Sequence, residues 1–192
     1  MPDRFDPTQM DRLIDPARRA WNDPALILSH LDLPTKQTFA DIGCGPGYFT
    51  LEAARLMGPT AMIWGVDVSE EMLERLGQRA AQAGLATVKP TLAEEEDEFP
   101  LHSGTVEAAL LANAYHETDP ASNFLFELKR TLAPGAPVLV VEWKPEPTPA
   151  GPPQSERLQM ADVQEEFELA GFTCLGERPV GPYHWGLLFT RS

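Results

Sequence analysis

Four groups of residues in this 192-residue chain have the types and spacing that chemistry needs. The first is the stretch FADIGCGPGYFT, Phe39 to Thr50. It places Gly43, Gly45 and Gly47 between an apolar run and a helix-like pattern, with Asp41 two residues ahead of the first glycine. Glycines at such a turn let a backbone approach a ligand closely. The second is Asp67, about 20 residues further on, where a carboxylate can accept hydrogen bonds from ribose hydroxyls. The third is Asn113-Ala-Tyr-His116-Glu117, whose last two residues are ionisable and suited to acid-base work. The fourth is Gly181-Pro-Tyr183-His184-Trp185, where polar-tipped rings stand in a turn.

Glycines followed by a carboxylate one strand later point to a nucleoside-containing cofactor. Two features bear on which one. The spacing is Gly-x-Gly-x-Gly, not the Gly-x-Gly-x-x-Gly of the dinucleotide fingerprint. Asp41 would also lie close to a pyrophosphate, where a second negative charge is unfavourable. A cationic head would welcome it, and S-adenosylmethionine has one: an ammonium and a sulfonium that carries the transferable methyl. A nicotinamide-dependent oxidoreductase is therefore the weaker alternative. A noncatalytic S-adenosylmethionine-binding protein is the other, because fold alone does not fix function.

Composition narrows the partners. The net charge is −14 and the isoelectric point about 4.6, with no Lys/Arg cluster longer than Arg18-Arg19 or Lys129-Arg130. Such a surface repels phosphate backbones and anionic membranes, so a small-molecule partner is expected, with no nucleic acid and no stable membrane association. The two cysteines, Cys44 and Cys174, make neither a disulfide framework nor a zinc pattern, and no metal is expected. No apolar stretch approaches membrane-spanning length, and the first 30 residues carry no apolar signal core. A cytoplasmic protein is expected.

The elements that must position these groups alternate along the chain. Asp15-Pro16 and Asp23-Pro24 each read as an N-cap followed by proline at the first helical position, opening one or two short helices through about His30. Strands are expected at Thr38–Ile42, Ala61–Val66, Leu85–Leu92 (weaker), Val106–Ala112 and Pro137–Trp143. Helices follow the glycines, Ser69 and Asp119-Pro120, the last carrying Leu125, Leu128 and Leu132 on one stripe. KPEPTPAGPPQ, with five prolines, reads as an extended connector. Val163, Phe167 and Ala170 mark a final helix. Two closing segments, Phe172–Arg178 and His184–Thr190, have no helix between them and must form an antiparallel hairpin. Strand-helix alternation of this kind implies a parallel sheet with helices on both faces.

DIGCGPG, GVDVSEEML, LLANAYHE and LKRTLAPGAPVLVVEW, in that order, resemble the motifs of class I S-adenosylmethionine-dependent methyltransferases. The flavour is that of the small enzymes of ubiquinone and menaquinone biosynthesis. The resemblance runs from about Thr38 to Arg191 and implies an α/β, Rossmann-like, doubly wound sheet of seven strands, mostly parallel with the last antiparallel. It implies a methyltransferase domain over 38–192 behind an N-terminal helical segment over 1–37, in a single globular unit. It implies cofactor-binding roles too. Gly43, Gly45 and Gly47 would pass beneath the methionine part, Asp41 would lie near its amino group, Asp67 would hold the ribose, and Val68 would pack on the adenine. Where the family often has Asp-Ala after the third strand, this chain reads LAEEEDEF, which leaves Glu94 or Glu95 for the adenine amine. Asn113 would line the cavity shared by cofactor and acceptor.

Methyl transfer is an in-line displacement, so the protein chiefly aligns the acceptor and sheds water. His116 and Glu117 are the candidates for a base where the acceptor must lose a proton. An alternative is that His116 orders the loop while Glu117 caps it or faces solvent. NAYH lacks the prolines of the nucleobase amino-methylating members, which again favours a small-molecule acceptor. Tyr183 and His184 are expected to converge with His116 in the acceptor pocket, near Glu142 and Trp143. The segment bearing Arg18, Arg19 and Trp21 reads as a surface helix packed on the sheet in preference to a lid over the cofactor.

Overall fold

The continuous apolar runs become the middle of a seven-stranded sheet in the computed structural model, which describes residues 5–95, 97–119 and 123–192. The strands are β1 (Thr38–Ile42), β2 (Met62–Asp67), β3 (Val88–Leu92), β4 (Ala109–Ala112), β5 (Pro137–Trp143), β6 (Phe172–Glu177) and β7 (His184–Arg191), in the order β3-β2-β1-β4-β5-β7-β6. β1 to β5 pair in parallel, and β7 runs antiparallel to both β5 and β6. The reversed strand is the one the closing hairpin demands.

Side chains alternate between two cores because successive strand residues point to opposite faces. Phe39, Leu110, Ala112, Leu139 and Val141 join one core, with Leu51 and Ala54 of α2 (Thr50–Met57) and Leu73 and Leu76 of α3 (Glu70–Gln82). Ile27 and Leu28, from α1 (Pro24–Leu28), and Leu31 join it as well, so the N-terminal segment shares the sheet's own core. Ala40, Ala109, Leu111, Val138 and Val140 face the other core, with Phe124 and Leu128 of α4 (Phe124–Thr131) and Val163 and Phe167 of α5 (Met160–Leu169). Phe167 is fully buried, and a residue of that size contributes about 1.5–3 kcal/mol by leaving water.

Several boundaries differ from the sequence expectation. β4 pairs only from Ala109; Val106 makes an isolated bridge to Leu132. α4 begins at Phe124, and the expected Asp119-Pro120 start lies partly outside the described residues. The N-terminal segment is mostly 3-10 helix, at Pro7–Ile14, Pro16–Ala20 and Ser29–Leu31. Its first piece repeats the Asp-Pro signature at Asp6-Pro7, and Asp6, Asp15 and Asp23 each accept the N–H two residues on. No helix among the described residues is long and apolar enough to cross a membrane.

Candidate functional site

The strand order reverses direction between β1 and β4, and a cleft opens at the carboxyl ends of the strands there, as it does in open α/β sheets. Its volume is about 560 Å³, within the roughly 300–1,000 Å³ usual for small-ligand sites.

One wall is the glycine loop after β1. Gly43, Gly45 and Gly47 all have positive φ, at 69°, 50° and 82°. A Cβ on Gly43 would sit 2.4 Å from the Ala114 Cβ, so only glycine lets this loop lie against the loop after β4. The N–H groups of Gly43 and Cys44 both donate to the Val66 carbonyl, at 2.9 and 3.0 Å. The Gly45 N–H donates to Asp67 Oδ2 at 2.8 Å, and the Ser69 N–H to Asp67 Oδ1 at 3.0 Å. Asp67 thus fixes the glycine loop and the start of α3 together. Gly43, Gly45, Asp67 and Val68 line the cleft; Gly47 does not, and its Cα is packed toward Leu76 and Leu51 instead.

Asp41 is also absent from the cleft. It is 1% exposed, and its Oδ2 accepts the Thr50 hydroxyl at 2.5 Å. Alternation along β1 turns it toward α2, whose first residue supplies the donor. Burial pushes its pKa up to about 7, with Thr50 opposing and Asp67 adding to the rise. Glu94 and Glu95 are exposed and do not line the cleft; that stretch contributes Ala93 and Phe99. With Met72 and Val68 these give the cleft an apolar end suited to a flat ring.

The floor between the loops is Asn113. It holds a left-handed backbone at φ 57°, and neither its buried Oδ1 nor its Nδ2 has a hydrogen-bond partner. A buried amide left without partners costs about 1–3 kcal/mol, and this one lines the cleft. It fits a ligand that can both donate and accept. Glycine cradle, Asp67, apolar end and Asn113 together suit a nucleoside bearing a polar tail.

Opposite stands Glu117, which lines the cleft with its side chain 27% exposed. Behind it lies His116, 3.8 Å from Nε2 to Glu117 Oε1, and it does not line the cleft. His116 Nδ1 is 2.9 Å from Glu142 Oε2, and its backbone N–H donates to Glu142 Oε1 at 3.2 Å. A carboxylate only accepts, so Nδ1 carries the proton and Nε2 is left facing Glu117. Burial alone would lower the His116 pKa; the charge and hydrogen bond of Glu142, with Glu117 and Glu156, outweigh it and raise it. Burial raises the Glu117 pKa, with His116 opposing.

Tyr183 and His184 stand apart from the cleft lining. His184 stacks on Trp21 with centroids 5.8 Å apart and rings 8° from parallel, and it lies 4.1 Å from the Trp143 ring. Tyr183 lies 6.2 Å from Trp21. The N-terminal segment covers these rings, so they form a clasp instead of a pocket wall. The same segment sends Phe5, Pro7, Leu13 and Arg18 into the cleft lining, which the sequence reading as a surface helix did not anticipate. Arg18 is 9% exposed. No sequence signal separated it from Arg19 in the same short 3-10 turn.

A family model described as a methyltransferase domain matches residues 39–135. A ubiquinone/menaquinone biosynthesis C-methyltransferase of Burkholderia mallei is 27% identical over 131 residues, 66% of this chain and 52% of that protein. The chain therefore spans about half the length of the curated relatives it matches. The crystal structure of an S-adenosylmethionine-dependent methyltransferase from Aquifex aeolicus superposes with a TM-score of 0.93 at 30% identity, covering 98% of this chain and 100% of that one. The [4+2]-cyclase SpnF shares the fold, with a TM-score of 0.74 at 18% identity over 88% of this chain and 79% of its own.

Proposed function

Because this chain belongs to the methyltransferase-domain family, is an enzyme of the class I type and takes S-adenosylmethionine as its cofactor, we propose that it methylates a small-molecule acceptor beside Glu117. The cofactor supplies an electrophilic methyl group when bound. Gly43, Gly45, Asp67, Val68 and Asn113 are the residues that would hold it, with Gly47 shaping the loop from behind. Asp41 acts on that loop through Thr50 and β1.

The observation that carries the acceptor reading is the row Glu142, His116, Glu117. Only the last of the three lines the cleft. Glu117 takes the proton that the acceptor sheds as its nucleophilic atom attacks. His116, anchored by Glu142, holds the carboxylate in place and balances its charge. The Burkholderia mallei relative is named as a C-methyltransferase. Methylation at carbon, like methylation at a hydroxyl, removes a proton from the acceptor, which a desolvated carboxylate suits. A net charge of −14 favours an uncharged or locally recognised small molecule over nucleic acid.

The test is turnover of S-adenosylmethionine carrying a labelled methyl group. The protein is incubated with a low-molecular-weight metabolite fraction and, separately, with nucleic acid and with protein. Label in a small molecule, with formation of S-adenosylhomocysteine, is expected. Label found only in macromolecules would overturn the acceptor class.

A further inference from the structure

The cleft lining is acidic, with Asp67, Glu70, Glu71 and Glu117, and among its described residues Arg18 alone is cationic. Arg18 is an unusual cation. It is nine-tenths buried, and its Nε has no hydrogen-bond partner. Among the described residues no carboxylate forms an ion pair with it. Its guanidinium lies 4.4 Å from the Tyr48 ring centroid and 5.5 Å from that of Trp21, and Nη1 donates to the Leu13 carbonyl. Burial depresses its pKa, as expected for a cation without a counter-ion.

Burying a charge without a partner is costly, and two ring faces recover only part of it. The planar fork of arginine matches a carboxylate in two parallel hydrogen bonds. Position adds to this. Tyr48 follows Gly47 directly, and Leu13, which Arg18 holds through its carbonyl, would lie 3.5 Å from a Cβ on Gly45. The guanidinium therefore stands beside the glycine loop.

We propose that Arg18 is the carboxylate receptor of this cleft, and that it binds the amino-acid carboxylate of the cofactor. This rests on the cofactor lying along the glycine loop. The N-terminal segment then becomes part of the binding site: the charge that completes the site arrives on a segment clasped to the sheet by Trp21. An acidic acceptor is the other source of a carboxylate, and binding measurements separate the two.

Calorimetry on the full chain compares three probes: S-adenosylhomocysteine, its decarboxylated analogue, and 5′-methylthioadenosine, which lacks the amino-acid part. In the wild type, loss of the carboxylate weakens binding about 10- to 100-fold, the range for hydrogen bonds to a charged group. In Arg18→Gln that preference disappears, while 5′-methylthioadenosine binds within about twofold of wild type, the margin left by removing a contact it does not make. Arg18→Lys keeps part of the preference. Arg18→Met, which retains the apolar stem between the rings, replaces the Gln variant if that one does not fold. Should S-adenosylhomocysteine bind equally to wild type and Arg18→Gln, the protein saturated with it is titrated with benzoate. Benzoate binding lost in the variant moves the carboxylate to the acceptor. No effect in either titration overturns the proposal. Failure of all three adenosine probes to bind the wild type would instead refute cofactor binding in this cleft.

Discussion

The Thr50 hydroxyl donates to the Asp41 carboxyl at 2.5 Å, with both side chains buried between β1 and α2. The folded protein holds the Asp41 proton up to about pH 7, whereas the unfolded chain loses it near 3.8. Between those values the unfolded state binds fewer protons, so stability falls as pH rises, by up to about 4 kcal/mol. Asp41→Asn removes this linkage. It should be more stable than wild type in denaturant unfolding at pH 8, with the gap closing near pH 4. An equal gap at both pH values would show that Asp41 is ionised in the folded protein.

Asp67 joins two jobs that its variants should reveal together. Asp67→Ala is expected to weaken S-adenosylhomocysteine binding by about 1.5–3 kcal/mol. It also frees the Gly45 N–H, so hydrogen exchange at Gly45 should quicken in the absence of ligand. Unchanged affinity in a folded variant would place the ribose elsewhere.

Glu117→Gln should lower kcat by about 100-fold or more, as the loss of a general base does, while S-adenosylhomocysteine affinity stays within about threefold, because the residue's work is on the acceptor. In the wild type, kcat/KM should rise with pH through a value above the ordinary carboxylate range, since burial raises the Glu117 pKa. His116 opposes that rise. His116→Asn should therefore move the acid limb to higher pH. A profile unmoved by His116→Asn would confine His116 to packing.

His184 is buried with neither ring nitrogen partnered, and burial lowers its pKa to about 3, aided by Arg18, Lys144 and Arg157. Below about pH 6.5 the unfolded chain takes up a proton that the folded ring refuses, so His184 costs stability as pH falls toward 3. His184→Phe should raise stability in that window and leave cofactor affinity within about twofold, since the ring lies outside the cleft lining. A large affinity loss would return His184 to the site.

The sheet was legible because buried parallel strands read as unbroken apolar runs, as PVLVVEW of β5 does. β3 was faint because only Val88 of its five residues is buried. The glycine loop and Asp67 were legible from spacing, since backbone approach restricts residue type. Asp41 was legible as a special residue but not in its direction: strand alternation and the Thr50 partner decide where it points. Tyr183 and His184 failed for a related reason. Topology brought them to the correct end of the sheet, and Trp21 then covered them. Arg18 was hidden because nothing in a turn of 3-10 helix announces which side chain will be buried.

The placement of β7 has a consequence for how the chain comes into being. β7 follows β5 and β6 in synthesis, yet it lies between them and supplies both of their pairings at that side of the sheet. A chain emerging from the ribosome can pair β1 to β5 in turn, but β6 has no place to dock until β7 appears. During that interval β5, buried at six of its seven positions in the finished fold, presents an open apolar edge. Neighbouring nascent chains offer that edge a competing strand. A slow or mutated β7 is therefore expected to reveal itself as aggregation of the nascent chain.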